Sequence, residues 1–147
     1  MVLPMKIFKR KDQGVSDDWT VATGIFEDGP IVIRVNRGCA ALEKTHPIQI
    51  GVSVPLREPV PGGLPSPQED GLLGAIEEAL LAEAKGQAVL AAVITTGTMR
   101  EFVLYSPSSQ WIEGFHHALD DAVTTHEIQV MAKTDADWSI YKSLAEG

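Results

Sequence analysis

The stretch Ala88-Val89-Leu90-Ala91-Ala92-Val93-Ile94-Thr95-Thr96-Gly97-Thr98-Met99-Arg100-Glu101-Phe102-Val103-Leu104-Tyr105 decides the fold. Its first half is apolar at successive positions, the pattern of a central strand with both faces covered. Thr96-Gly97-Thr98 then turns the chain, and Met99 to Tyr105 returns as a partner strand.

Working outward, Ile48, Ile50, Val52 and Val54 alternate with Gln49, Gly51 and Ser53, a half-buried strand ending at Pro55. Residues 55–67 carry Pro55, Pro59, Pro61, Pro65 and Pro67 around Gly62-Gly63, which reads as an exposed connector. Ser66-Pro67-Gln68-Glu69 is a helix start, with Ser66 as N-cap, Pro67 at the first position and Glu69 completing a capping box. Leu72, Leu73, Ile76, Ala79, Leu80 and Ala84 form its apolar stripe, Glu77 and Glu78 face water, and Gly86 stops it. A second helix places Trp111, Phe115, Ala118, Leu119 and Ala122 on one face. The last long strand runs from His126 to Lys133, with Ile128, Val130 and Ala132 inward, and a short helix over Asp137 to Leu144 follows. Upstream, Trp19 to Phe26 and Ile31 to Asn36 flank Glu27-Asp28-Gly29-Pro30, and Asp-Gly between two β-rich runs predicts a hairpin.

The order is a β-hairpin, then β-α-β-β-α-β, then a short helix. This predicts an α+β domain with a ferredoxin-like core, a sheet of about six strands and two helices on one face. Residues 1–17 read as a flexible N-terminal arm and residues 18–147 as a single domain.

Composition narrows the function classes. Hydrophobic residues make up 44% of the 147 positions, enough for an ordinary core, and no apolar run approaches bilayer-spanning length. No signal-peptide pattern opens the chain, and a single cysteine, Cys39, suits a reducing compartment, so a cytoplasmic location is expected. The net charge is −8 although Lys6, Lys9, Arg10 and Lys11 cluster at the start, so the remainder is more acidic still. Such a body repels nucleic acid and suits a basic protein partner.

Motifs for chemistry are sparse. There is no Gly-x-Ser-x-Gly elbow, and Gly62-Gly63 lacks the Lys-Ser/Thr ending of a phosphate loop. Glu113, His116, His117, Asp120, Asp121, His126 and Glu127 form the densest ionisable cluster, but adjacent helical histidines point about 100° apart, and no metal is expected there. No cofactor is expected either. Arg34, Asn36, Arg100 and Tyr105 are the candidate polar contacts for a small anion or metabolite in a cleft between hairpin and core. Asp135, Asp137, Trp138 and Tyr141 are the candidates for protein contact. Trp138 and Tyr141, three apart, would also clamp the last helix to the sheet, with Asp135 as its cap.

Asp18-Trp19, Ile33-Arg34-Val35-Asn36, Val54-Pro55, Gly71-Leu72 through Glu77-Glu78, Ile94-Thr95-Thr96, Arg100 to Tyr105 and Asp135-Ala136-Asp137-Trp138 with Tyr141 occur in that order. In this the chain resembles the bacterial family catalogued as domain of unknown function 695, over about Trp19 to Leu144. It is distantly similar to the protein inhibitor of ribonuclease E, a small acidic regulator. The resemblance supplies no catalytic residues and implies a domain that works by docking. The expected function is a non-catalytic protein-binding module. A ligand-binding protein or enzyme, and a structural homodimer, are the alternatives.

Overall fold

The computed structural model describes residues 3–10 and 17–146. In chain order the elements are β1 (Leu3–Arg10), β2 (Asp17–Phe26), β3 (Gly29–Asn36), a short 3-10 helix (Arg37–Leu42), β4 (Ile48–Pro55), α1 (Pro67–Ala84), β5 (Val89–Thr95), β6 (Met99–Ser106), α2 (Ile112–Ala122), β7 (Gln129–Thr134) and α3 (Ser139–Glu146). The domain is α+β, and its strands form one antiparallel sheet in the order β1-β2-β3-β5-β6-β4-β7.

The hairpin and the four later strands supply the expected six. β1, which runs antiparallel to β2 at the sheet edge, is a seventh. Leu3 to Arg10 was expected within a flexible arm, but apolar Leu3, Met5 and Ile7 at alternating positions suit a strand. Residues 1, 2 and 11–16 of that arm lie outside the described residues. The hairpin joins the sheet through β3, whose Val32 to Val35 pair with Thr95 to Ala92 of β5.

The hairpin turn is displaced by one residue from its expected place. Glu27 and Asp28 carry the positive φ values, 49° and 66°, while Gly29 pairs with Phe26 in the ladder. Such a two-residue loop matches the twist of its strands. The glycine serves close packing instead, since a Cβ there would lie 3.3 Å from Gly62 Cα.

The alternation within each strand builds two cores. On one face Ile50, Val52 and Val54 of β4 meet Phe102 and Leu104 of β6, covered by Leu73, Ile76 and Leu80 of α1 and Phe115 and Leu119 of α2. On the other, Ile33, Val35, Val89, Ala91, Val103 and Tyr105 meet Cys39 of the 3-10 helix and Trp138 and Tyr141 at α3. Helices therefore cover both faces: α1 and α2 on one, α3 on the other. The apolar run from Val89 to Ile94 in β5 follows from that double cover.

α1 begins as the sequence predicts, with Ser66 Oγ accepting from Glu69 N–H at 3.1 Å and Pro67 at the first position. Only half of the capping box forms. The Glu69 carboxylate turns instead to the proline connector and accepts from the N–H groups of Arg57 and Glu58, each at 2.9 Å.

Candidate functional site

Arg34, Asn36, Arg100 and Tyr105 do not share a cavity. Arg34 reaches from β3 to α1, where its guanidinium forms an ion pair with Glu77 and lies 5.4 Å from the Trp19 ring centroid. Glu77 was expected to face water, yet it is buried because the sheet supplies this cation 43 residues away in sequence. Asn36 is fully buried. Its Oδ1 accepts from the N–H groups of Asp18 and Gly38, and its Nδ2 donates to Leu90 O, so it caps the 3-10 helix and ties β2, β3 and β5 together. Arg100 donates to Asp70 Oδ1 at 2.7 Å and to Thr95 Oγ1 at 2.8 Å, a second clasp on α1. Tyr105 lies on the opposite face of the sheet. The sheet itself therefore separates the Tyr105 phenol from the two guanidinium groups.

The C-terminal cluster is an internal network. Asp135 Oδ1 accepts from Ser139 N–H at 2.9 Å and from Ser139 Oγ at 2.7 Å, while Oδ2 accepts from Ile140 N–H at 3.1 Å. Tyr105 O–H donates to the same Oδ2 at 2.7 Å. Burial by itself would raise the Asp135 pKa, but these donors outweigh it and hold the carboxyl down to about 2. Trp138 adopts φ 54° and stacks on Tyr105 with centroids 4.1 Å apart. Its indole N–H donates to His46 O at 2.8 Å. Tyr141 packs edge-on against Trp138 and donates its O–H to Asn36 O at 2.9 Å, and burial pushes its pKa up to about 12. The expected clamp forms. Of the four residues proposed for protein contact, Asp135, Trp138 and Tyr141 are core and Asp137 is exposed.

The histidines of the ionisable cluster go separate ways. His116 Nε2 lies 3.6 Å from Asp120 across one helical turn, and His117 is exposed. The His126 side chain is buried and its Nε2 meets Glu69 Oε2 at 2.5 Å. Among the described residues no group of three or more His, Cys, Asp or Glu side chains converges as a metal site would require.

The conspicuous surface is the outer side of the helix layer. α1 and α2 contain no lysine or arginine, while Glu78, Glu83, Glu113, Asp120 and Asp121 are exposed on them. The other acids of α1 point elsewhere: Glu69 to the connector and His126, Asp70 to Arg100, and Glu77 to Arg34. Both helices pack on the same sheet face, so their exposed carboxylates lie on one side of the sheet. Periodicity alone shows which helical positions face outward, but not which inward acids find a cation on the sheet. Glu69 and Glu77 were missed for that reason.

No curated protein and no solved structure matches the chain. A family model, Family of unknown function (DUF695), matches residues 17–144, which takes in every element from β2 to most of α3. The chain therefore belongs to the domain of unknown function 695 family.

Proposed function

We propose that this domain is a non-catalytic docking module, working in the cytoplasm, that presents the outer faces of α1 and α2 to a basic segment of another protein. The observation that carries this reading is the pair of neighbouring helices with no lysine or arginine and with Glu78, Glu83, Glu113, Asp120 and Asp121 exposed, besides Asp70, which pairs with Arg100. A single-sign field of this kind attracts a cationic partner over roughly a Debye length and sets its orientation. The same field opposes nucleic acid. We read β4-α1-β5-β6-α2-β7 as a ferredoxin-like scaffold, in which β6 fills the place between β4 and β5 and the two crossover helices lie side by side.

The test is a charge reversal, Glu78→Lys with Glu113→Lys and Asp121→Lys. All three positions are exposed, so folding should survive. Immobilised wild-type protein should retain basic proteins from bacterial lysate at low salt, lose them as salt rises, and the triple variant should retain none of them. Wild-type protein that captures nothing above background at low and moderate salt would count against the reading.

A further inference from the structure

On the sheet face opposite α1 and α2, α3 and the 3-10 helix pack over β3 and β5, and between α3 and the β4–β7 edge of the sheet the cover is incomplete. There a recess of about 240 Å³ opens, with Gly51 as its floor and Ile140 of α3 and Met131 of β7 as its apolar walls. In register, Gln49 and Gly51 of β4 stand opposite Lys133 and Met131 of β7. Glycine in a strand interior weakens it and commonly marks a place where something approaches the backbone closely.

Two side chains lean over the space where Gly51 lacks a Cβ. Glu101 Oε2 lies 3.0 Å from that position and Gln49 Nε2 lies 3.6 Å from it. Among the described residues no hydrogen bond or ion pair engages the Glu101 carboxylate, and burial pushes its pKa upward. A half-buried carboxylate in this position is stabilised by an incoming cation. The Lys133 ammonium, exposed at the other end of the recess, is an anchor for an anion, and Gln49 offers amide donors beside it.

We infer that this recess is a binding site for a small zwitterion of amino-acid size, its ammonium received by Glu101 and its carboxylate by Lys133 and Gln49. Met131 and Ile140 would pack against an apolar side chain of the ligand. The volume lies just below the usual range for drug-sized ligands and fits a compact molecule. The site lies on the face away from the acidic helix layer, so it stands or falls independently of the docking role.

The test is amide-resolved NMR of the whole chain against a panel of amino acids at about 10 mM, where even millimolar affinities are visible. A primary alkylamine and a short carboxylic acid serve as half-ligand probes. At least one amino acid should shift the Gly51, Glu101 and Lys133 amides saturably, and each half-ligand should bind at least about tenfold more weakly. Gly51→Val, whose Cβ meets only the flexible side-chain ends of Glu101 and Gln49, should abolish those shifts. Glu101→Gln should weaken binding about tenfold or more with the fold unchanged. The inference is overturned if no amino acid shifts these amides, if the amine alone binds as well, or if Glu101→Gln leaves the shifts intact.

Discussion

The Tyr105 hydroxyl and the Asp135 carboxylate meet at 2.7 Å inside the second core, joining the middle of the sheet to the start of α3. The same hydroxyl accepts from Tyr141 N–H at 3.2 Å. Asp135 thereby anchors β6, caps α3 and fixes Trp138 between them. Its pKa falls from 3.8 to about 2 on folding. The charged form is thus favoured in the folded state, and its stabilisation is present above the unfolded value and lost as pH falls through the folded one. That contribution is about 2 kcal/mol. Asp135→Asn should cost about this much near neutral pH and flatten the decline in stability between pH 4 and 2. Tyr105→Phe keeps the Trp138 stack and should cost about 1 kcal/mol. Urea denaturation across that pH range measures both, and an Asp135→Asn curve parallel to wild type would refute the assignment.

Glu69 acts as a staple rather than a capping-box residue. Its buried carboxylate receives two connector N–H groups and faces His126 from the loop between α2 and β7. Burial alone would raise its pKa, but the N–H groups and His126 reverse the sign and leave it below 4.5. Stability from this group is therefore full above that value and declines as pH drops through the lower folded pKa. Glu69→Gln should cost about 2 kcal/mol near neutral pH, and His126→Ala about 3 kcal/mol, since each leaves buried polar groups short of partners. The connector should also loosen in Glu69→Gln, seen as faster tryptic cleavage after Arg57. Unchanged cleavage would mean the prolines alone hold the segment.

Much of this architecture was legible because it is local. Alternation placed β4 and β6, Ser66-Pro67 placed the start of α1, and the spacing of Trp138 and Tyr141 gave the clamp. What escaped depends on distant pairing. Glu77 faces Arg34 across 43 residues, and Tyr105 bonds Asp135 across 30, so neither carries a periodic signal. The arginines and Tyr105, grouped as one candidate site by residue type, are parted by the sheet between them. Gly51 did carry a signal, a lone glycine in a strand whose neighbours alternate cleanly, but the Glu101 carboxylate above it is fixed only by the β4 and β6 register.

The Arg34 and Glu77 pair admits a test of what an ion pair under a helix contributes. Arg34→Met removes the guanidinium from beside a mostly buried carboxylate, which should cost about 3 kcal/mol. Replacing both partners, Arg34→Met with Glu77→Leu, should recover to within about 1 kcal/mol of wild type, because the apolar pair needs no desolvation. A double-mutant cycle built on Glu77→Leu alone gives the coupling directly. If the double variant is as unstable as Arg34→Met, the pair is held by packing on Trp19 more than by charge.

Gly97 sits where the turn between β5 and β6 presses on the proline connector. Val60 N–H donates to Gly97 O at 2.7 Å, and a Cβ on Gly97 would lie 2.0 Å from Val60 O and 2.7 Å from Gly63 O. Those are backbone atoms, so the contact cannot be relieved by turning a side chain, and Gly97→Ala must push the connector away from the sheet. The expected cost is about 3 kcal/mol. Gly74 offers the opposite case on the same scaffold: it lies within α1 with nothing within 4 Å of an added Cβ. Gly74→Ala should therefore stabilise by about 1 kcal/mol, through reduced freedom of the unfolded chain and better helix propensity. Urea midpoints of the two variants should move in opposite directions from wild type. A Gly97→Ala midpoint equal to wild type would show that the connector does not bear on this turn, and would remove the packing argument for its glycines.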